Sequence, residues 1–349
     1  MKSLYHFFRL IRPLNLSVIV LTMVVFQIFL SNYHQDSINY FDYSVFTPDG
    51  LLKKPSLWDI SFLKADFLLL VLSTVLIAAA GNIINDYFDV KADRVNKPEL
   101  LIIDKHIKRR WAIMFNWVFN SVGLLIAMYL GWKYQNWWIA ITPFLTINLL
   151  WFYSAFFKRR FLIGNLIVAL LVALVPVYVL IFHFPLKALT MSFGDQIIVF
   201  GNYQIVGLCL SIAIVAFLIN LIREIIKDIA DIKGDLLLSA QTIPIKLGIR
   251  KTKILLIILG IPLLLSIVNY GRFALSFTTF LLPESLTQAD NFVPFSSLFM
   301  VATCASLSML CTLISYLILL MTNTRKNYIL SSNFLKLSMF FGLLTPLFL

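Results

Sequence analysis

Apolar residues run in long, unbroken stretches through most of this chain, and polar residues gather in the intervals between them. About 20 consecutive apolar residues suffice for a helix to cross the hydrocarbon core of a bilayer. On that rule the pattern predicts nine spans, at 14–31, 66–88, 112–131, 136–156, 162–182, 205–228, 253–270, 294–321 and 333–349. The last has Pro346 near its end, and residues 270–293 leave room for an interfacial turn. Two intervals are longer than a connection needs. Residues 32–65 are polar and aromatic, with Asp36, Asp42, Asp49 and Asp59. Residues 184–204 place Phe184, Met191, Phe193 and Phe200 between polar positions, the pattern of a short interfacial helix. The expected fold is therefore all-α: a polytopic bundle of about nine transmembrane helices around a central cavity. It forms a single domain over 1–349, with external insertions at about 32–65 and 184–204.

Composition supports the membrane reading. The 349 residues are 60% hydrophobic and 13% charged, about half the charged share of a soluble domain. The net charge of +12 does not imply nucleic acid, because the basic residues are grouped. Most of the 29 lie at the N-terminus (Lys2, Arg9, Arg12) or in the intervals after the second, fourth, sixth and eighth spans. Only Lys53, Lys54, Lys64, Lys133, Lys187 and Arg272 fall on the other side. Basic loops stay in the cytoplasm, so the N-terminus is expected there, as an uncleaved first helix rather than a signal peptide. Cys209, Cys304 and Cys311 are scattered through apolar segments and suggest neither disulfide nor zinc site.

Polar groups inside such spans are costly unless they face a cavity, a partner or a cation. Two clusters stand out. Asn85, Asp89 and Asp93 are spaced i, i+4, i+8 where the second span ends, so a helix carries them down one face. Asp228, Asp231 and Asp235, spaced i, i+3, i+7 at the end of the sixth, again share one face. Both ends fall on the same predicted side. Such oxygen ligands suit Mg²⁺, which retains waters and is completed by substrate phosphates. Lys91, Arg94, Lys97, Arg223 and Lys227 stand beside them and can bind phosphate oxygens. The pattern suggests a metal-diphosphate site. A transporter is the alternative from another class, with Asn148, Pro176 and Asn220 as its mid-span hints, but the acids lie at span ends.

Here the residues carry a resemblance. Asn85-x-x-x-Asp89-x-x-x-Asp93, within NDYFDVKADRVNKP, resembles the first aspartate-rich motif of the UbiA superfamily of intramembrane prenyltransferases. REIIKDIADIKGD, from Arg223 to Asp235, resembles the second. Smaller matches are Arg12-Pro13-x-Asn15, Tyr153-Ser154, Lys158 and Gly164-Asn165. The motifs look most like the branch containing digeranylgeranylglyceryl phosphate synthases. The resemblance implies Mg²⁺-dependent transfer of a polyprenyl group from an allylic isoprenyl diphosphate to a small polar or aromatic acceptor. It implies two Mg²⁺ held by Asn85, Asp89, Asp93, Asp228, Asp231 and Asp235, of which Asp89, Asp93, Asp231 and Asp235 are catalytic. Arg12, Lys91, Arg94, Lys97, Lys158, Arg223 and Lys227 would bind the diphosphate. Asn15, Tyr153 and Asn165 would line the acceptor side. Tyr87, Phe88, Phe152 and Tyr153 are at the right level to face a carbocation. Asp86, Glu224 or a diphosphate oxygen is available to take the acceptor's proton.

The resemblance also implies a multi-pass protein of a prokaryotic plasma membrane, with the lipid bilayer as its surroundings and the site facing the cytoplasm. No protein partner is implied. Two departures bear on the acceptor. After Asn96-Lys97-Pro98 the chain continues Glu99-Leu100-Leu101, where that branch usually has Arg-Pro and a glycine. After the second motif it has Ser239 near a place where glycine is common. Geranylgeranylglyceryl phosphate is the first acceptor expected, and an aromatic acid of quinone biosynthesis the alternative.

Overall fold

A computed structural model describes residues 2–41, 65–96, 98–183, 196–237, 239–280, 295–321 and 324–348. The chain opens with α1 (Lys2–Ile11), whose last residues pack inward while Tyr5 and Phe8 stay exposed. Longer helices follow: α2 (Pro13–Phe41), α3 (Ala65–Asn96), α4 (Arg109–Lys133) and α5 (Trp138–Ala155). Then come α6 (Ile163–His183), α7 (Gln196–Leu237), α8 (Ile243–Phe280), α9 (Phe295–Met321) and α10 (Arg325–Leu344). Among the described residues, the nine from α2 onward are long and apolar enough to cross a membrane.

The helices differ from the predicted spans mainly at their polar ends. Helix α2 continues to Phe41, beyond the expected end at residue 31. Residues 196–204, assigned from the pattern to an external insertion, are helical and continuous with α7, whose apolar span starts at Ile205 as expected. Helix α10 begins at Arg325 rather than residue 333. Hydropathy marks where a helix is apolar, whereas its backbone hydrogen bonds can continue into the polar interface. Helix α8 starts at Ile243 but is interrupted at Gly248, whose φ of 79° breaks the helical path. That left-handed position suits a residue without Cβ. The cores of the two expected insertions, 42–64 and 184–195, lie outside the described residues, as do 281–294 of the proposed interfacial turn.

Helix α7 packs against α6, α8, α10 and α3, and α3 packs against α4 and α5. Lipid tails are as apolar as leucine, so helices in a membrane associate through close packing and hydrogen bonds. Both are present. A Cβ on Gly123 would lie 2.8 Å from Ile77 Cγ1, and the Ser73 hydroxyl donates to the Gly123 carbonyl at 2.7 Å. Helices α9 and α10 are joined by buried hydroxyls: Ser308 with Ser338 at 3.0 Å, Thr312 with Ser338 at 2.8 Å, and Ser315 with Ser331 at 2.8 Å.

A separate apolar cluster lies by the C-terminal half of α3. Leu10 of α1 and Ile102, Ile103 and Ile107 of the α3–α4 connection bury against Ile83, Val90 and Ala112. Thus Leu101, the last residue of the Glu99-Leu100-Leu101 departure, and the isoleucines that follow it form a packed cap. His6 of α1 stacks on His106 of this connection at 3.6 Å between ring centres.

Candidate active site

The chain breaks between α1 and α2 at Arg12, which has φ of 56°. Pro13 disfavours the helical region for the residue before it, and the left-handed region costs an L-residue roughly 1–2 kcal/mol. The break turns the Arg12 guanidinium onto the carboxylate of Asp86. Asn82, one turn earlier on α3, donates to the carbonyl of Ile11 at 2.9 Å and fixes the same junction.

On α3, Asn85 and Asp89 turn to one side, as their spacing requires. Lys158, in the short connection between α5 and α6, donates to Asn85 Oδ1 at 3.1 Å and pairs with Asp89. Two features place it. Gly164 lets the connection fold onto the start of α6, since a Cβ there would lie 2.9 Å from the Phe157 carbonyl oxygen. The Gln241 amide, just after α7, donates to the Arg159 carbonyl at 2.8 Å, tying the α5–α6 and α7–α8 connections together. Burial works to lower the pKa of Lys158, but the Asp89 carboxylate beside it more than offsets this and leaves it above the ordinary lysine value. The ammonium therefore stays charged at physiological pH.

The acids of α7 are also engaged. Asn165, next to Gly164, donates to Asp228 Oδ2 at 2.8 Å. Arg325, at the start of α10, donates to Asp231 Oδ1 at 3.0 Å. Glu224 Oε1 lies 2.9 Å from Arg223 Nη2 and 2.7 Å from Lys227 Nζ. Carboxylates withdrawn from water are costly unless paired, and these basic and amide partners supply the pairing.

A cavity of about 940 Å³ joins these groups. Asn15, Arg12, Asn85, Asp86, Asp89, Asp93, Tyr153, Lys158, Asn165, Arg223, Glu224, Lys227, Asp228, Asp231 and Asp235 all line it. Away from the charges its wall is apolar, with Ile19, Leu150, Val168, Leu171, Val215 and Leu343. One wall is thus suited to phosphate and metal, and the remainder to a hydrocarbon chain.

Other sequence-predicted residues lie elsewhere. Lys91 is exposed and does not line the cavity. Two residues from both Asp89 and Asp93, it is turned about 200° from either at 3.6 residues per turn. Arg94 is also absent from the lining; its guanidinium faces Asp104 at 3.5 Å. Lys97 lies outside the described residues. Of the four candidate aromatics, only Tyr153 reaches the cavity. Phe152 is exposed, Tyr87 packs against the cap, and Phe88 meets Trp151 edge-on at 6.0 Å. Conversely, the structure adds Arg9, Arg159 and Lys336 to the lining, and Arg325 to the acids of α7. Arg325 and Lys336 gave no signal in sequence beyond basic charge near the last predicted connection.

The ligand set fits a hard cation in chemical type, with carboxylate and amide oxygens on two helix ends facing one space. Among the described residues, however, no three His, Cys, Asp or Glu side chains are close enough to enclose a metal by themselves.

Fold and site together define a helical membrane protein with a charged recess at the end of an apolar cavity. The model of the UbiA prenyltransferase family matches residues 56–326, and the chain belongs to that family. It is 36% identical over 188 residues to digeranylgeranylglyceryl phosphate synthase of Pyrococcus horikoshii, covering 54% of this chain and 59% of that protein. The matched part is therefore under two thirds of that relative's length. Among solved structures, it is similar to one described as giving structural and mechanistic insights into the biosynthesis of digeranylgeranylglyceryl phosphate synthase in membranes. That likeness has a TM-score of 0.59 at 22% identity and covers 99% of this chain and 98% of the other. A UbiA homolog from Archaeoglobus fulgidus bound to GPP and Mg²⁺ has a TM-score of 0.50 at 15% identity, with 97% and 99% covered.

Proposed function

We propose that this protein transfers a polyprenyl group from an allylic isoprenyl diphosphate to a small acceptor, with geranylgeranylglyceryl phosphate as the acceptor. The observation that carries this reading is the meeting of two acidic helix ends and Lys158 at one end of an apolar cavity. The archaeal relative's name adds the acceptor. Asn85, Asp89 and Asp93 would hold one Mg²⁺, and Asp228, Asp231 and Asp235 another. When bound, the ions would withdraw charge from the leaving diphosphate.

The chain's own residues do the rest. Lys158 and Arg12 exchange carboxylate partners for diphosphate oxygens and stabilise the charge that grows there. The allylic C–O bond breaks with its electron pair leaving on the diphosphate. The apolar wall excludes water from the cation, and the Tyr153 ring faces the positive charge. The acceptor hydroxyl oxygen then bonds to the allylic carbon and releases its proton. Of the two carboxylate candidates for that proton, Glu224 is held by two cations and Asp86 by one. We assign the proton to Asp86. The recess would face the cytoplasm of a prokaryotic cell, in keeping with the basic connections beside it.

The test is transfer from geranylgeranyl diphosphate, in membranes containing the protein, to a panel of glycerol phosphates and aromatic acids. Transfer to geranylgeranylglyceryl phosphate, lost on chelation of Mg²⁺ and in Asp89→Ala and Asp231→Ala, is expected. Transfer only to an aromatic acid would reject the acceptor, and full activity of both variants would reject the site.

A further inference from the structure

One turn before Asp228, helix α7 carries Arg223, Glu224 and Lys227, and this group has more cations than its own acid can balance. Glu224 Oε1 receives both Arg223 and Lys227, at 2.9 and 2.7 Å. Arg223 Nη1 also donates to Asn220 Oδ1 at 3.0 Å, while Arg223 Nε is buried without a hydrogen-bond partner. A third cation comes from α10. Asn220 Nδ2 contacts Met339 Sδ at 3.2 Å, and Lys336, one turn before Met339, comes within electrostatic reach of Arg223, Glu224 and Lys227. All of them line the cavity, and Lys336 has neither hydrogen bond nor ion pair among the described residues. Three cations therefore face one carboxylate inside a membrane-spanning bundle, an arrangement that is costly unless an anion completes it.

We propose that Lys336 and Arg223 form a second anion subsite that takes the phosphate monoester of the acceptor, separate from the recess for the donor diphosphate. This rests on the acceptor proposed above. The division follows from charge. A diphosphate that arrives with divalent cations brings much of its own compensation, and Lys158 and Arg12 are placed on the α3 side to meet it. A phosphate monoester arriving without metal needs protein cations. Within this group, Lys336 Nζ and Arg223 Nε have no hydrogen-bond partner among the described residues, and charge-assisted hydrogen bonds from them would hold its oxygens. An alcohol lacking the phosphate would leave these cations unmet, so the subsite also selects the phosphorylated acceptor.

The test compares wild type, Lys336→Gln and Lys336→Arg, all purified as full chains. Among the described residues Lys336 makes no hydrogen bond or ion pair, so its replacement removes none of those. Geranylgeranylglyceryl phosphate and its dephosphorylated alcohol are used as acceptors with geranylgeranyl diphosphate, and binding of the phosphorylated lipid is measured without donor. Lys336→Gln is expected to raise KM for the phosphorylated acceptor about tenfold, the worth of one charge-assisted hydrogen bond. KM for the donor and the rate with the alcohol stay unchanged, and Lys336→Arg restores most of the loss. A rise in donor KM alone, or an equal effect on both acceptors, overturns the proposal. If wild type binds the phosphorylated lipid through Lys336 but does not prenylate it, the subsite stands and the proposed acceptor falls. If it prenylates the lipid with a KM indifferent to Lys336, the acceptor stands and the subsite falls. Absence of both binding and transfer rejects both.

Discussion

Single residues show where local patterns suffice and where they do not. Lys91 stands beside the first motif in sequence, yet helical geometry turns it away from Asp89 and Asp93. Its exclusion was available from the spacing alone. Arg325 is different: it meets Asp231 across 94 positions, and no local period encodes such a pairing. Ser239 was legible in part, since glycine is common near it in the resembling branch. The structure supplies the reason, an exposed serine with φ of 53°. Ser239→Gly should therefore raise stability by about 1 kcal/mol, because glycine adopts that conformation without a Cβ clash. Thermal unfolding in detergent checks this, and a melting temperature unchanged or lowered would show that the serine is not strained there.

At the level of elements, the apolar stretches located all nine candidate spans, because helix length and hydrocarbon thickness are directly linked. They could not give the polar extensions of α7 and α10, where the chain remains helical after its hydropathy falls. Nor could they show that the α3–α4 connection docks on α1. The short α5–α6 connection is positioned by Gly164, and Gly164→Ala would place a methyl 2.9 Å from the Phe157 carbonyl oxygen. Moving Lys158 away from Asp89 should lower kcat/KM roughly 100-fold with a smaller effect on the melting temperature. Retained activity with a large loss of stability would make Gly164 a packing residue only.

The docked α3–α4 connection should respond to pH. His106 is exposed, yet some loss of hydration beside the stacked His6 ring, and then the charges of His6, Lys105 and Arg9, lower its pKa. The docked form favours the neutral ring, so the undocked segment gains a proton first as pH falls below the ordinary histidine value of about 6.5. Docking is complete above that pH and weakens beneath it. Hydrogen exchange at residues 101–107, corrected for intrinsic rates, should accelerate between pH 7.5 and 5.5, and His106→Gln should flatten the response. Equal protection at both values in the wild type would contradict it.

For the whole molecule, the distribution of basic residues and the even spacing between α3 and α7 bring both acidic helix ends to one side, and the cavity contains both. The basic connections on that side predict that it faces the cytoplasm. Lys108→Cys, before α4, should react with a membrane-impermeant thiol reagent from the cytoplasm. Gln135→Cys, between α4 and α5, should react from outside. Reversed labelling would invert the proposed topology. The three native cysteines are buried and contribute little background.

The partnership of α7 with α10 also has a consequence for synthesis. Arg325 meets Asp231, and Lys336 approaches Arg223 and Lys227, so the last helix described supplies charges to a helix made long before it. While α10 is still being made, α7 waits in the membrane with Asp231 lacking that cation and one wall of the cavity open. The hydroxyls that join α9 to α10 let these two helices enter lipid with their polar groups already satisfied by each other. Closure of the cavity is thereby tied to synthesis of α10: a ribosome that stalls before it leaves a chain that has both aspartate motifs but lacks one wall of the cavity.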